Sequence, residues 1–312
     1  MAFEHTSVMP KEVQEYLQLK PGNTCVDCTL GASGHALQSI KAILPTGKFI
    51  GIDQDAEAIK NAELILKDCS ENIKLIHDNF VNLPKILESL GLKGADGILL
   101  DLGLSLNQLK NSQRGFSFQK TEELDMRMDI REQLTAMEIV NSFSEKDLAD
   151  IFYKYGEERM SRKIAKNIVL KRKLNPIKTS DVLAQIVKES IPAKISFKKK
   201  IHPATQVFQA LRIYVNKELE RLETFMKKVP EFLNKHGRLV IISFHSLEDR
   251  IVKNQIRTFE NGCMCPRGLP ECACGFEQKL ISVFKKPLIP SMEEINLNPM
   301  ARSAKMRVAQ KI

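Results

Sequence analysis

The feature that most constrains this chain is an apolar stretch that runs into a turn of small residues and then into a helical pattern. Residues 24–28 predict a buried strand, Gly31 and Gly34 bound the turn, and the apolar steps over 37–44 predict a helix. Strand, glycine turn and helix form the nucleotide-binding unit of open α/β sheets, because the backbone approaches the ligand and the helix N-terminus offers free N–H groups. The turn by itself also suits a tight bend that binds nothing.

A carboxylate at the end of a second predicted strand favours a ligand. That strand covers residues 48–53 and ends at Asp53, 22 residues after Gly31, near the spacing of about 20 that places an acid on a ribose. Ser33 stands where a dinucleotide site has its second glycine, at which a pyrophosphate presses on the backbone. A cofactor without a pyrophosphate therefore fits better, and S-adenosylmethionine is the obvious one.

Strands and helices continue to alternate as far as Asp101. Residues 73–77 and 95–101 predict a third and a fourth strand, the third followed by Phe80 and the fourth closed by Asp101. This alternation predicts a mostly parallel sheet with helices on both faces, which binds its ligand beyond the carboxyl ends of the strands. Phe80, placed at that edge, is then better explained as an adenine platform than as a core residue.

The alternation stops after Asp101 and resumes beyond residue 205. Between about 111 and 205 the pattern predicts helices only. A long helix over about 204–228, a strand over 237–243 and two further strands over 280–284 and 305–308 follow. The sequence thus predicts a sheet domain in two parts, 1–110 and 206–312, interrupted by an inserted helical domain over 111–205.

Positive charge is concentrated in the predicted insertion. The chain carries a net charge of +9, whereas residues 159–205 alone hold 13 Lys or Arg against 2 Asp or Glu, a net charge of +11. Such a concentration favours a nucleic-acid surface over a merely solvated face. Seven cysteines, an odd number, fit a reducing compartment. Without a signal peptide or an apolar run of roughly 20 residues, we expect a cytoplasmic protein that contacts no membrane.

Two strings of residues are too specific to be generic fingerprints, namely Leu-Asp-Met-Arg-Met-Asp at 124–129 and Ser-Phe-His-Ser-Leu-Glu-Asp-Arg at 243–250. With them, the chain resembles the bacterial small-subunit ribosomal RNA cytosine-N4 methyltransferases. The matching stretches keep the family's order and lie at 5–8, 27–35, 51–53, 96–103, 114–118, 124–129, 155–158, 202–205, 208–212, 242–250 and 298–303. They cover almost the whole chain.

The resemblance implies a Rossmann-like class I methyltransferase fold with a mostly parallel sheet and an inserted all-helical domain. It implies S-adenosylmethionine as the cofactor and 16S ribosomal RNA or the small ribosomal subunit as the partner. The reaction it implies is methylation of the N4 amine of a decoding-centre cytosine. The cofactor-binding positions that carry over are Ser33, Gly34, His35, Asp53, Phe80, Asp101 and Gln108.

The loop after the fourth strand departs from the family pattern, because Leu106 and Asn107 replace a serine and a proline. This loop is expected to face the target amine. Exocyclic cytosine nitrogen is a poor nucleophile, so catalysis needs alignment with the methyl group and acceptors for the N–H groups. We predict Asp101, Ser105 and Asn107 as those catalytic acceptors. No Pro-Cys pair is present for attack at cytosine C5, and His245, beyond the fifth strand, is more easily explained as a structural residue.

Four cysteines lie close together near the end of the chain, at 263, 265, 272 and 274. Four thiols could bind zinc, but the spacing Cys-x-Cys is unusual and the family does not require them, so we predict a reduced loop and no metal site. Three other functions stay open: a methyltransferase on another nucleic acid, a non-catalytic RNA-binding assembly factor with a relict cofactor fold, and a dinucleotide-dependent oxidoreductase. Oligomeric state cannot be predicted from the sequence.

Overall fold

The computed structural model divides into two compact units. The first, here called the sheet unit, combines Met1–Gly103 with Leu219–Ile312, and the second, the helical unit, is Leu104–Glu218. The structure describes residues 7–67, 69, 72–192, 202–262, 265 and 274–312. Among these residues, no helix combines the length and the apolar character needed to cross a membrane.

The sheet unit is built on seven strands in the order β3-β2-β1-β4-β5-β7-β6. Strands β1 to β5 pair in parallel, whereas β7 runs antiparallel to both of its neighbours. The strands are β1 Thr24–Asp27, β2 Lys48–Asp53, β3 Ile73–His77, β4 Ala95–Asp101, β5 Leu233–Ser243, β6 Leu280–Ser282 and β7 Lys305–Lys311. The predicted α/β fold with a mostly parallel sheet is confirmed. The fifth strand begins earlier than predicted, the sixth ends earlier and the seventh ends later.

The central strands of this sheet are buried on both sides, because helices cover both of its faces. Val26, Ile50 and Ile98 pack in one apolar cluster with Leu83 and Leu222. Their sequence neighbours belong to clusters on the other face, as the two-residue period of a strand requires. The helices of this unit are α1 Pro10–Leu17, α2 Gly34–Ile43, α3 Ala56–Ile65, α4 Leu83–Ser89, α11 Glu218–Phe232, α12 Ser246–Asn261 and α13 Met292–Leu297, with 3-10 turns at Phe80–Asn82 and Pro299–Ser303.

The parallel register brings polar residues to one edge of the sheet. Asp27, Asp53 and Asp101 end β1, β2 and β4. Because these strands are neighbours that run in the same direction, the three carboxylates share the carboxyl edge, where ligands bind in open α/β sheets. Thr29 ties the edge together: its N–H donates to Asp27 Oδ1 at 3.1 Å, and its Oγ1 accepts from the N–H of Asp101 at 2.6 Å.

The helical unit contains α5 Leu106–Lys110, α6 Ala136–Ser142, α7 Glu145–Gly156, α8 Ser161–Arg172, α9 Ser180–Ser190 and α10 Thr205–Asn216. Helix α10 packs closely on α7, since a Cβ atom at Gly156 would lie only 2.4 Å from the carbonyl oxygen of Gln206. The Gln206 amide also donates to the carbonyl of Gly156 at 3.0 Å. This packing places α10 in the helical unit.

The prediction of one long helix over 204–228 is wrong. Lys217 adopts a left-handed conformation with φ of 51° and ends α10, after which α11 begins at Glu218. The break separates a helix of the helical unit from a helix of the sheet unit. The compact units therefore change at 103/104 and 218/219, rather than at the predicted 110/111 and 205/206.

Helices alone do not account for the insertion, because the segment from 111 to 135 has no helix. Polar side chains hold it instead. The buried guanidinium of Arg114 donates to the carbonyls of Arg127 and Met128 at 2.9 and 3.1 Å. Asn216, only 3% exposed, accepts from the N–H of Met128 at 2.7 Å and donates to the carbonyl of Met126 at 2.8 Å. Side chains thus satisfy backbone groups that a helix would have paired internally.

Candidate cofactor site and catalytic loop

The glycine turn between β1 and α2 is anchored to the second strand. The N–H of Gly31 donates to Asp53 Oδ2 at 2.9 Å, and the N–H of Leu30 donates to the carbonyl of Ile52 at 3.1 Å. Ser33 sits in the left-handed region with φ of 66° and is buried. Gly34 lies against Ser7, because a Cβ there would be 2.0 Å from Ser7 Oγ and would force that hydroxyl to move. The turn is therefore a tight, pre-formed cradle.

Asp53 binds the backbone on both sides of its carboxylate. In addition to the bond from Gly31, its Oδ1 accepts from the N–H of Asp55 at 2.9 Å. Burial raises the pKa of Asp53 to about 6, although these two N–H groups lower it. Each carboxylate oxygen has a second lone pair, so Asp53 can hold the turn and still accept hydroxyl groups of a ribose.

A buried histidine lies among the carboxylates of this edge. His35, only 5% exposed, places Nε2 3.6 Å from Asp101 Oδ2. Burial opposes protonation of His35, but the negative charges of Asp101, Asp27 and Glu294 outweigh it and raise its pKa. Burial raises the pKa of Asp27 to about 7, and the charges of Asp101 and Asp53 act in the same direction. The edge therefore concentrates negative charge below the surface.

Several buried polar atoms at this edge have no hydrogen-bond partner in the described part of the chain: Ser33 Oγ, His35 Nδ1 and Asp101 Oδ1. Buried polar atoms are usually paired, so these fit a polar ligand in the cradle. S-adenosylmethionine combines a ribose, which suits Asp53, with a sulfonium cation, which suits a carboxylate-rich edge. When bound, it supplies the electrophilic methyl group. The residues present fit this cofactor.

Phe80 is less open to a ligand than the sequence pattern predicts. It is 8% exposed, and its ring meets Phe225 edge-on at 5.4 Å, within the main apolar cluster of the sheet unit. Phe80 thus contributes to the core. Contact with an adenine ring stays a prediction that concerns its remaining surface.

Sequence reasoning missed two groups at this edge. Asp27 closes β1 just as Asp53 and Asp101 close their strands, so the same signal could have identified it. Gln54 was also missed: its side-chain oxygen accepts from Asn79 Nδ2 at 2.9 Å and from Arg221 at 2.8 Å. This bridge ties the end of β2 to the segment after β3, and only the tertiary structure reveals it.

Three of the predicted site residues belong to the helical unit. Ser105 and Gln108 cap each other at the start of α5: Ser105 Oγ accepts from the N–H of Gln108 at 3.2 Å, and Gln108 Oε1 accepts from the N–H of Ser105 at 3.1 Å. Asn107 lies between them and is partly exposed. The sheet unit brings together Ser33, Gly34, His35, Asp53 and Asp101. The roles of Ser105, Asn107 and Gln108 stay predictions.

His245 lies at the end of β5, with Nε2 3.0 Å from Glu248 Oε1, at the start of α12. This contact supports the structural role expected for it. Of the four clustered cysteines, Cys263 and Cys272 lie outside the described residues, so the prediction of no metal there stays untested.

We predict that Asp53→Asn weakens binding of S-adenosylmethionine by about ten- to a hundredfold, because a charge-assisted hydrogen bond contributes roughly 1.5–3 kcal/mol. The substitution also presents an amide to a site where two N–H groups donate. Calorimetric titration measures the affinity. Glu63→Gln, on the exposed face of α3, removes a carboxylate from the same unit and should leave affinity unchanged. Wild-type affinity in a folded Asp53→Asn protein would contradict the assignment.

Cofactor affinity should rise with pH between about 5 and 7.5. The pKa values of Asp27 and Asp53 are raised to about 7 and about 6, so both carboxyls lose protons over this range and attract a cation more strongly. A single linked proton changes affinity by up to roughly tenfold per pH unit. Titrations across pH should show the rise for S-adenosylmethionine and a weaker one for S-adenosylhomocysteine, whose sulfur is neutral. Equal slopes for both compounds would refute this electrostatic explanation.

Known proteins of similar sequence match this chain over its full length. The sequence model of the MraW methylase family matches residues 2–312. "Ribosomal RNA small subunit methyltransferase H" of Desulforapulum autotrophicum is 60% identical over 312 residues, which is 100% of both chains. The protein of the same name from Clostridium botulinum strain Loch Maree is 48% identical, again over 100% of both chains. Among solved structures, an rRNA methylase from Streptococcus thermophilus aligns with a TM-score of 0.40 and 11% identity, covering 97% of this chain and 93% of that one.

The family resemblance noted in the sequence is thereby confirmed. The match to the family model over residues 2–312 and the 60% identity to a methyltransferase exclude the hypothesis of a dinucleotide-dependent oxidoreductase. The chain belongs to the MraW methylase family and is an enzyme that uses S-adenosylmethionine as its methyl donor.

Proposed function

We propose that this enzyme methylates the N4 amine of a decoding-centre cytosine in 16S ribosomal RNA, with the small ribosomal subunit as its partner. The observation that carries the proposal is the full-length, 60% identity to a protein named for methylation of small-subunit ribosomal RNA. The choice of N4 rests on the family resemblance of the sequence motifs and on the chemistry below. Because small subunits are assembled in the cytoplasm, we expect the enzyme to act there.

The carboxyl edge suits transfer to an amine that needs no covalent intermediate. Asp101 keeps one carboxylate oxygen near His35 and the other without a partner in the described part of the chain. That oxygen can accept a hydrogen bond from the exocyclic N–H and disperse the positive charge that develops on nitrogen. The nitrogen–methyl bond would form as the bond from the methyl group to the sulfonium sulfur breaks, with its electron pair staying on sulfur, and Asp101 would pass the amine's released proton to water. Nearby carboxylates stabilise the developing charge before that proton departs.

The loop that begins α5 offers further acceptors. Ser105 Oγ already accepts one hydrogen bond from the helix, yet a hydroxyl has a second lone pair and a proton of its own. The side-chain oxygen of Asn107 provides a neutral acceptor. Such acceptors would orient the nitrogen lone pair towards the methyl group, and positioning of this kind accounts for much of the acceleration of group transfer.

A cationic surface on the helical unit supports an RNA substrate. Helix α8 carries exposed charges at Arg162, Lys163 and Lys166, and Lys173 follows at its end. Arg172 is different, because its guanidinium donates to the carbonyl of Val140 at 2.8 Å and so holds α6 to α8. The exposed cations therefore offer phosphate contacts, whereas Arg172 serves the fold.

The decisive experiment compares 16S ribosomal RNA from cells with and without the gene. We expect N4-methylcytosine at the decoding centre to disappear in the deletion strain and to return with the wild-type gene. Digestion followed by chromatography and mass spectrometry separates methylcytosine isomers. Loss of a C5-methyl or a ribose methyl instead would contradict the mechanism, and N4-methylcytosine that persists in the absence of any redundant enzyme would contradict the function.

Reversing charge on α8 should weaken RNA binding without touching the cofactor. Lys166 and Lys173 lie seven residues apart and so share a helix face. The double change Lys166→Glu and Lys173→Glu should flatten the salt dependence of RNA affinity by roughly one unit per lost phosphate contact. Lys227→Glu with Lys228→Glu, both exposed on α11, makes the same change in net charge within the sheet unit. If the two double variants show equal losses, only the net charge matters and α8 is not the platform.

A further inference from the structure

A cavity of about 340 Å³ lies in the sheet unit, and none of the predicted cofactor residues lines it. Its walls come from the start of α12 and from the chain before β7: residues 244–246, Ile289, Pro290, Ile295 and residues 302–305. The volume lies within the range of about 300–1,000 Å³ that is usual for small-ligand sites. We call it the β5–β7 cavity.

The β5–β7 cavity lies at the same edge of the sheet as the cofactor site. Asp101 of β4 is paired with Ile242 of β5, and Ser243 of β5 is paired with Lys305 of β7. Two strand spacings of about 4.8 Å therefore separate β4 from β7, roughly 10 Å in all. Phe244 connects the two places, because a Cβ at Gly103, two residues after Asp101, would lie 3.0 Å from its ring.

Arg302 gives the cavity a cation that the fold does not use. It is exposed, and its guanidinium makes no hydrogen bond or ion pair with any other residue in the described part of the chain. Lys305 lies 3.7 Å from Asp249 Oδ2, but that carboxylate already pairs with Arg307 at 2.6 Å. His245 adds an imidazole whose side chain is 10% exposed and whose Nε2 lies 3.0 Å from Glu248 Oε1. An anion is the natural ligand of this wall.

Most of the other side chains that line the cavity are apolar. Ile289 is 69% exposed, and Pro290, Ile295 and Phe244 line the cavity beside it. Of these apolar side chains, Ile289 is exposed, Phe244 and Ile295 are half-buried and Pro290 is buried. Together with the guanidinium of Arg302, they match the two halves of a nucleotide. Guanidinium binds a phosphate through parallel N–H bonds, while the flat face of a base packs on apolar groups.

We propose that the β5–β7 cavity binds one nucleotide of the substrate RNA adjacent to the cytosine that is methylated. Arg302 binds its phosphate, and Phe244, Ile289 and Ile295 contact its base. RNA is read chiefly where bases are splayed out of the stack, and a base turned towards the cofactor leaves its neighbour displaced as well. This inference rests on the proposed function and deepens it, because it assigns the part of the enzyme that fixes the register of the RNA strand.

The test uses the full-length enzyme with three substitutions. Arg302→Gln removes the charge, and Ser303→Trp fills the cavity while every charge stays. Arg257→Gln, exposed on α12 and absent from the cavity walls, removes the same charge elsewhere in the sheet unit. Binding is measured with a fluorescent single-stranded oligoribonucleotide of the decoding-centre sequence, by anisotropy across salt concentrations. Methyl transfer is measured on small subunits from the deletion strain, and cofactor affinity by calorimetry.

Arg302→Gln should weaken oligonucleotide binding about tenfold, the scale of one lost charge-assisted contact. Ser303→Trp should weaken it by a similar factor, because it excludes the base from the cavity. Only Arg302→Gln should flatten the salt slope, by about one unit. Arg257→Gln should bind RNA within twofold of wild type, and all three should keep wild-type cofactor affinity. Arg302→Lys should restore part of the binding, since it returns the charge but not the planar fork.

The outcomes separate this inference from the proposed function. If wild-type enzyme methylates small subunits and both cavity variants behave like Arg257→Gln, the cavity binds no nucleotide and the inference is overturned alone. If wild-type enzyme binds the oligonucleotide through Arg302 but transfers no methyl to it or to small subunits, the proposed function is overturned and the nucleotide site stands. Should Ser303→Trp fail to fold, Arg302→Gln and Arg302→Lys decide the question.

Discussion

The crowding of carboxylates at one edge of the sheet is the constraint on which the rest of this structure depends. The parallel strands β1, β2 and β4 end in Asp27, Asp53 and Asp101. The pairing of these strands alone therefore brings the three carboxylates to one edge, whatever the conformation of the loops. Burial, and to a smaller extent the like charges of Asp101 and Asp53, raise the pKa of Asp27 to about 7. The fold tolerates them because backbone N–H groups and His35 partly compensate, and a cationic cofactor adds the rest. A neutral set of residues would be easier to fold and would not attract a sulfonium ion.

Much of the sheet unit could be predicted from sequence because parallel strands are continuous apolar runs with abrupt polar ends. For this reason the predicted bounds of the second, third and fourth strands agree with Lys48–Asp53, Ile73–His77 and Ala95–Asp101. The cofactor site could be predicted from the same pattern, since a carboxylate at the end of an apolar run can be recognised in the sequence. Phe80 shows the limit of this reasoning: its position after β3 was predicted, whereas its contact with Phe225 depends on α11, more than 140 residues later.

What could not be predicted depends on contacts distant in sequence. Lys217 ends a helix in the left-handed region, although no glycine or proline marks the place. Asn216, beside it, holds the backbone of Met126 and Met128, and a pairing across some 90 residues leaves no local periodicity. Arg114 likewise stabilises carbonyls of an irregular segment. By contrast, Ser105 and Gln108 form a capping box, which has an ordinary local signature. The start of α5 could therefore have been predicted, but these two residues were interpreted only as site residues.

Opposite charges lie at the same edge of the sheet, on strands that β5 separates, and the distance between them determines how strongly they interact. The cofactor cradle carries Asp27, Asp53 and Asp101, while the β5–β7 cavity carries Arg302 and Lys305. Asp101 on β4 lies about 10 Å from β7 by strand spacing, and Asp27 and Asp53 lie farther away, on β1 and β2. Salt screens the exposed charge of Arg302 over a Debye length of about 8–10 Å, whereas the buried carboxylates are screened much less. Each group of charges therefore attracts a ligand of the opposite sign at its own site. The uncharged, buried residues Ile242 and Ser243 at the end of β5 lie between the two groups of charges. A cationic methyl donor and an anionic RNA strand can thus bind at the same edge of the sheet, with the cytosine amine placed between their two sites.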